Sequence, residues 1–256
     1  MKAILIIILA WCAAPLASAG IAAAADSAYT ADDFSRAIEL YTRALETDGA
    51  SPDLYYNLGN AYYRNCNLGR AIVAYHRCLR LDPANADARA NLAFVNSRIQ
   101  DLPEDDSSFL TRMHTAVVTA CSANAWAWIA FAAFALTLAA VALYIFGGGV
   151  VLRKVGFFGA FVLAVLTAYF IVVAAAAAAR IDDRSHAIVT VPTTFLNSIP
   201  RQPKQTDKVV PLHEGTRVEI IDSVPTPDDP VSPRWYNVKI NNSTHAWLRA
   251  TDVERI

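Results

Sequence analysis

The spacing of hydrophobic and polar residues divides this chain into four regions. Residues 1–19 contain one continuous apolar run, and residues 28–100 carry apolar side chains every three or four positions, the spacing of amphipathic helices. Residues 125–179 are apolar apart from a short charged link. From residue 186 onward the apolar runs are short and partly alternating, which predicts β-strands. We therefore expect a multidomain chain of α-helical hairpins, two transmembrane helices and a small all-β domain.

The helical region contains an internal repeat. The pattern Arg-Ala-Ile-x-x-Tyr-x-Arg-x-Leu begins at Arg36 and again at Arg70, and Asn57 and Asn91 share the same offset of 34. A period near 34, with a helical hairpin in each unit, is typical of tetratricopeptide (TPR) repeats. The sequence thus predicts a TPR domain over residues 28–100.

Only the unit at about residues 52–85 shows both helices clearly. The segment at about 30–47 predicts a second helix without a convincing first helix, and the segment at about 85–100 predicts a first helix alone. Because stacked repeats bury a core only between neighbours, we expect an array near the lower limit of stability.

The complete unit combines small and large packing residues. Gly59 and Ala71 let its two helices approach closely. Pro83 ends the second helix because proline has no amide hydrogen and biases the residue before it away from the α region. Cys66 stands at the turn between the helices, where the repeat usually has glycine. The predicted packing set is Tyr55, Leu58, Gly59, Tyr62, Ala71, Tyr75 and Pro83.

A second face of the same unit carries aromatic, amide and guanidinium groups. Its residues follow the spacing i, i+4, i+7 and i+8, so they align along one side of a helix. By resemblance to TPR proteins, this side lines a concave groove, and its chemistry suits an extended peptide or a helix of another protein. The alternative is an ordinary solvated helix face. The candidate groove residues are Tyr56, Asn60, Tyr63, Arg64, Asn91 and Phe94.

Two uncharged stretches predict transmembrane helices. Residues 125–146 and 155–179 are each long enough for the roughly 20 residues that span a bilayer. The link at 147–154 contains Arg153 and Lys154, which the positive-inside tendency places in the cytoplasm. The spans contain no Asp, Glu, Lys, Arg or His, so they do not resemble an ion pathway. Residues 108–122 predict a short amphipathic helix at the membrane interface.

The N-terminal segment, residues 1–19, resembles a secretory signal peptide. Lys2 precedes the apolar run, and the small residues Ala17-Ser18-Ala19 follow it. Lipidation of Cys12 is disfavoured because Trp11 stands where a lipoprotein signal requires a small residue. Together with the basic link, the signal predicts an inner-membrane protein whose TPR and C-terminal domains both lie on the periplasmic side. If the N-terminal segment were an uncleaved anchor, the chain would cross the membrane three times and the link would lie on the opposite side.

Composition and motifs exclude several classes of function. The chain of 256 residues is 55% hydrophobic and 18% charged, with a mean hydropathy of +0.29, which favours a membrane protein. A formal net charge of −1 argues against nucleic acid as a partner. The sequence contains no His-Glu-x-x-His motif, phosphate-binding glycine loop or nucleophile elbow. We therefore expect no catalytic residue, no metal site and no cofactor.

The C-terminal region resembles a bacterial SH3-like barrel. The resemblance covers residues 186–256 and depends on the order of their short apolar runs and turns. Gly215, Trp235 and Trp247 are its characteristic residues. The two tryptophans motivate an alternative function, binding of cell-wall peptidoglycan through this domain.

The order of these segments resembles the BatE proteins encoded in Bacteroides-aerotolerance operons. The sharpest parts of the resemblance are residues 54–83 and 247–256. It implies a non-enzymatic membrane component linked to envelope or oxidative-stress tolerance. The implied partners are membrane proteins with von Willebrand factor A domains and, indirectly, a MoxR-type AAA+ ATPase. Our first hypothesis is accordingly a membrane-anchored scaffold whose exported TPR groove binds a segment of a partner protein.

Overall fold

The computed structural model describes residues 20–101, 108–200, 210–226, 229–241 and 244–256. The predicted signal peptide, with Cys12, lies outside these residues. The chain divides into two compact units. One unit contains the helical repeats together with the β-strands, and the other contains the long apolar helices.

The described part of the repeat region is built from five helices. They are α1 (20–30), α2 (Phe34–Asp48), α3 (Pro52–Arg64), α4 (Leu68–Leu81) and α5 (Ala86–Asn96). Side chains satisfy free amide groups where helices begin. Asp33 accepts from the amide of Arg36 at the start of α2, at 3.1 Å, and Asn85 accepts from the amide of Ala88 in α5, at 2.8 Å.

The first repeat does have a first helix, α1, so the expectation that it lacked one is wrong. Ala25 of this helix is fully buried. Ile21, Ala28 and Tyr29 pack against the same core, which includes Leu40 of α2. This helix is hard to recognise in the sequence, because alanines form much of its surface and give little contrast between an apolar and a polar face.

The second repeat packs as its sequence predicts. A Cβ atom added at Gly59 would lie 2.7 Å from Cε1 of Tyr75, so the absence of a side chain lets α3 and α4 meet. Of the predicted packing set, Leu58, Gly59, Ala71 and Tyr75 are buried, while Tyr55, Tyr62 and Pro83 are half-buried.

The C-terminal region consists of short antiparallel strands, as expected. They are β1 (His186–Val189), β2 (Thr193–Leu196), β3 (Val210–His213), β4 (Arg217–Thr226), β5 (Asp229–Asn241), β6 (Thr244–Arg249) and β7 (Val253–Arg255). Five strands form a sheet in the order β6-β5-β4-β1-β7, and β2 pairs with β3. Val189, Leu212, Val218, Val238 and Leu248 fill the core between them.

The β-strands and the repeats share a hydrophobic core. Ile188 of β1 and Ile256 are 1% and 6% exposed, and both belong to the cluster that contains Ile72 of α4. Val95 and Ile99 from the third repeat lie in the same cluster. Among the described residues the third repeat has no second helix. The β region therefore supplies part of the packing that covers the C-terminal end of the array.

The second unit contains α6 (Phe109–Val118), α7 (Ala123–Phe146) and α8 (Val150–Asp182). Both α7 and α8 are long and apolar enough to cross a membrane. The link between them is shorter than predicted, at residues 147–149, because nothing after Gly149 prevents a helix. Arg153 and Lys154 accordingly lie near the start of α8 rather than in a loop.

Small residues bring α7 and α8 together. A Cβ atom added at Gly156 would lie 2.8 Å from the carbonyl oxygen of Ala140 and 2.9 Å from Cα of Tyr144. Farther along the pair, the hydroxyl groups of Thr137 and Thr167 lie 3.3 Å apart. Close backbone approach and hydroxyl contacts of this kind stabilise helix pairs in lipid.

Candidate protein-binding groove

Hydrogen bonds that repeat with the period of the sequence connect consecutive repeats. In the first repeat, the hydroxyl of Tyr41 donates to Oδ1 of Asp26 at 2.5 Å. In the second, the hydroxyl of Tyr75 donates to Oδ1 of Asn60 at 2.7 Å. The donor and the acceptor of the second repeat each follow their counterparts in the first at an offset of 34.

The first helix of the following repeat donates to the same acceptor. Nδ2 of Asn57 lies 3.5 Å from Oδ1 of Asp26, and Nδ2 of Asn91 lies 2.9 Å from Oδ1 of Asn60. Asn91 also lies 3.4 Å from the hydroxyl of Tyr56. This set of bonds, the amide ladder, joins α1 to α3 and α3 to α5.

The ladder fixes its two tyrosines in buried positions. Tyr41 and Tyr75 are 2% and 1% exposed. Burial raises the pKa of both phenols well above the ordinary value, and for Tyr41 the hydrogen bond to Asp26 adds to this rise. Both side chains therefore remain neutral hydrogen-bond donors at any physiological pH.

Aromatic rings and a guanidinium group continue this face from the second repeat into the third. Tyr63 and Phe94 meet edge to face with ring centroids 5.7 Å apart. The guanidinium carbon of Arg98 lies 4.4 Å from the centroid of Phe94 and 5.8 Å from that of Tyr63. Phe94 is 47% exposed, so this group, the aromatic patch, offers apolar surface beside a cation.

The structure brings five of the six predicted groove residues into two connected groups. Tyr56, Asn60 and Asn91 belong to the amide ladder, and Tyr63 and Phe94 form the aromatic patch. Arg64 is the exception, because its guanidinium group pairs with Asp32 at 2.9 Å and lies 4.6 Å from the ring of Phe34. Four contributors were not assigned to this site from the sequence, although the repeat offset links each to a residue of the two groups or to Tyr75 or Arg64: Asp26, Tyr41, Asn57 and Arg98.

Polar contacts bind the β region to the repeats beside their shared core. The amide of Gly69 donates to Oε1 of Glu214 at 2.8 Å, and a Cβ atom at Gly69 would collide with the carbonyl oxygen of Val189. Arg77 of α4 pairs with Glu254 at 2.7 Å and donates to the carbonyl of Arg255 at 2.8 Å.

Asp101 makes a further contact between the two regions. Its Oδ2 accepts from the backbone amide of His213 at 2.8 Å, lies 2.9 Å from Nδ1 of that residue, and lies 3.3 Å from the hydroxyl of Thr216. Partial burial alone would raise the pKa of this carboxyl, but the hydrogen bonds and charge from His213 together outweigh burial, and the net pKa is lowered.

The predicted residues of the β region lie in three different settings. Gly215 adopts φ +89° in the turn between β3 and β4, a conformation that favours glycine. Trp235 is 4% exposed and belongs to the interior, whereas Trp247 is half-buried. The two tryptophans therefore do not form one exposed aromatic surface.

Comparison with known proteins identifies the repeats. The crystal structure of the Sgt2 TPR domain from Aspergillus fumigatus is similar at 25% sequence identity and a TM-score of 0.30. That match covers 31% of this chain and 53% of the Sgt2 chain, about half its length. No curated protein matches this chain. Residues 52–85 match the family model described as tetratricopeptide repeat, and residues 27–65 match a model described as TPR repeat. By these two family models, the helical hairpins of residues 27–85 are TPR repeats.

Proposed function

We propose that this chain is a non-enzymatic adaptor, anchored in the inner membrane, whose TPR groove binds a segment of a partner protein. TPR repeats themselves suggest a role in protein–protein interaction. The observation that carries the proposal is the amide ladder, which holds the first helices of three repeats side by side next to the exposed Phe94. A face fixed in this way loses less conformational entropy when it binds a peptide.

Membrane anchoring is the second part of the proposal. It is supported by the length and apolar composition of α7 and α8. Many of their large side chains are exposed, among them Trp128 at 71% and Phe161 at 67%. Such surfaces are unfavourable in water and favourable in lipid.

The amphipathic helix α6 supports the same anchoring. Phe109, Leu110 and Met113 are 72%, 69% and 52% exposed and lie toward one side of this helix, while Val118 packs into the core beside Trp126. In our proposal the exposed side lies in the membrane interface.

We further propose that the TPR repeats and the β region lie together in the periplasm. Because they share a core within one unit, they occupy the same side of a membrane that α7 and α8 cross twice. The signal-like N-terminus favours the outer side for that unit. The basic residues Arg153 and Lys154, next to the link, favour the cytoplasm for the link.

The order of segments supports a place in a Bat-type complex linked to envelope or oxidative-stress tolerance. In that setting the groove binds a membrane protein with a von Willebrand factor A domain, and a MoxR-type ATPase acts on the complex indirectly. We also propose an SH3-like fold for the β region. Its function as a peptidoglycan-binding domain has less support, because Trp235, one of the two residues that suggested it, is buried.

Co-purification in mild detergent tests the groove. We expect the native chain to retain specific membrane proteins, and a Tyr63→Ala, Phe94→Ala variant to lose them. The matched control is Arg36→Ala, Glu39→Ala, which removes an exposed ion pair of α2. Equal recovery by all three proteins would contradict a binding role for the groove.

Chemical labelling of Cys66 tests the topology. This thiol is exposed, whereas Cys78 is buried, so a membrane-impermeant maleimide has a native target in the repeats. Cys121 is a partly exposed thiol, so the assay uses a Cys121→Ser background. In that background we expect labelling in intact spheroplasts, abolished by Cys66→Ser. Labelling only after the membrane is permeabilised would place the repeats in the cytoplasm and refute the proposed orientation.

A further inference from the structure

Arg64 and Arg98 occupy the same position in consecutive repeats. Their sequence numbers differ by 34, and each lies at or just beyond the end of the first helix of its repeat. Both guanidinium groups lie over an aromatic ring, at 4.6 Å from Phe34 for Arg64 and at 4.4 Å from Phe94 for Arg98.

The two arginines differ in their acidic partner. Asp32 neutralises Arg64 at 2.9 Å. The counterpart of Asp32 in the next repeat is Cys66, and both occupy left-handed turns, with φ of 59° and 61°. Cys66 cannot supply the carboxylate that the preceding repeat provides. Accordingly, no carboxylate of the described residues forms an ion pair with Arg98.

We propose that Arg98 binds a carboxylate of the partner segment. This carboxylate has the role toward Arg98 that Asp32 has toward Arg64. This inference rests on the proposed function, since it names the chemistry required at one position of the groove. The partner segment carries Asp or Glu flanked by an apolar residue that contacts Phe94 and Tyr63.

The geometry around Arg98 suits this ligand. A guanidinium group that lies on an aromatic face keeps the N–H groups of its edge free for other acceptors, and a carboxylate accepts two of them in parallel. The exposed ring of Phe94 supplies apolar contact beside that pair.

Selection from a random peptide library provides the test. Full-length protein in lipid nanodiscs selects binding peptides, and the affinity of one selected peptide is then compared with that of its Asp→Asn or Glu→Gln counterpart. We expect acidic peptides to be enriched. We also expect Arg98→Gln to lower the affinity for the acidic peptide about tenfold, and the affinity for the neutral counterpart much less. Arg36→Gln is the matched control and should change neither affinity.

A second pair of variants tests the comparison between repeats without removing Arg98. Cys66→Asp restores the carboxylate found at Asp32, and Cys66→Asn has the same size and turn preference without the charge. We expect Cys66→Asp to lower the affinity for the acidic peptide and Cys66→Asn to leave that affinity unchanged. Equal effects of the two substitutions would overturn the proposal.

The remaining outcomes separate this inference from the proposed function. Peptides that bind without acidic preference, or that ignore Arg98→Gln, would refute the carboxylate site while retaining the groove. Enrichment of no peptide would refute the groove itself, and the inference with it. Tighter binding after neutralisation of Glu104, Asp105 and Asp106 would show that the chain's own acidic residues occupy the site, and would also overturn it.

Discussion

Gly215 lies in the turn between β3 and β4 and faces the core of the TPR repeats. Its φ is +89°, and a Cβ atom at this position would collide with Cγ2 of Ile99 and lie 3.1 Å from Cδ1 of Ile72. Substitution of Gly215 by Ala therefore introduces both backbone strain and overpacking. Because Ile72 and Ile99 belong to the repeats, we expect the damage to reach α4 and α5 rather than the β-strands alone.

A second glycine allows the two contributions to be separated. Gly49 has a similar φ of +87° but no atom within 4 Å of an added Cβ. Strain alone should cost about 1–3 kcal/mol at either position. Overpacking should add about 1–3 kcal/mol at Gly215. The free energy of unfolding should consequently fall further for Gly215→Ala than for Gly49→Ala.

Hydrogen exchange measured by mass spectrometry on the full-length protein in nanodiscs reports where protection is lost. We expect amides of α4 and α5 to exchange about 30- to 20,000-fold faster in Gly215→Ala, which corresponds to the combined cost of about 2–6 kcal/mol. The strands β1 and β4 should lose protection to a similar degree.

The result that would refute this reasoning is loss of protection confined to the β-strands. If α4 and α5 kept native exchange rates while β3 and β4 opened, the repeats would be stable without the β region. The shared core would then be a contact between two independent domains.

Three further predictions concern single residues. Cys66 has a left-handed backbone conformation that glycine adopts without strain, but glycine also has greater entropy in the unfolded chain. We expect Cys66→Gly to raise the free energy of unfolding by about 0.5–1 kcal/mol, the difference between these two effects. A lower midpoint temperature of thermal unfolding would contradict this. Tyr75→Phe removes the hydroxyl that donates to Asn60. We expect it to lower the free energy of unfolding, measured with urea, by about 1 kcal/mol. No change would mean that the amide ladder does not stabilise the repeats. The lowered pKa of Asp101 means that its hydrogen bonds stabilise the fold above its ordinary pKa of 3.8 and lose this effect as pH falls through the lower, folded value. Asp101→Asn should therefore reduce the change in unfolding midpoint between about pH 6 and pH 3, and an unaltered pH profile would refute the assignment.

Periodic residues made the TPR repeats predictable. The offset of 34 identified the hairpins, and the small size of Gly59 predicted the close approach of α3 to α4. The existence of α7 and α8 was predictable for a similar reason, since an uncharged apolar stretch of about 20 residues is typical of a membrane-spanning helix. The bounds of α8 were not predictable, because this helix extends over Val150–Asp182 and includes Arg153 and Lys154, which the sequence had assigned to the link.

Contacts between distant parts of the chain were not predictable in the same way. Ile188 and Ile256 pack in the same cluster as Ile72, although they are far apart in the sequence. No local sequence pattern predicts such a contact. The pairing of Arg64 with Asp32 was missed because Asp32 belongs to a turn, whose direction depends on a left-handed backbone that the sequence indicates only weakly.

The amide ladder lies between these cases. Asn57 and Asn91 were visible as a repeated pair, and so were Tyr41 and Tyr75. Their acceptors were harder to recognise, because Asp26 and Asn60 are different residue types at one repeat position. Comparison by acceptor chemistry rather than by identity would have connected them.

Site-specific photo-crosslinking in living cells tests the central claim most directly. A photoreactive phenylalanine analogue at position 94 places the probe on the groove, and the same analogue at position 39 places it on the exposed surface of α2. If the groove binds a partner segment, position 94 gives a discrete adduct with another membrane protein, and position 39 does not. The same adducts from both positions, or none from position 94, would contradict the account.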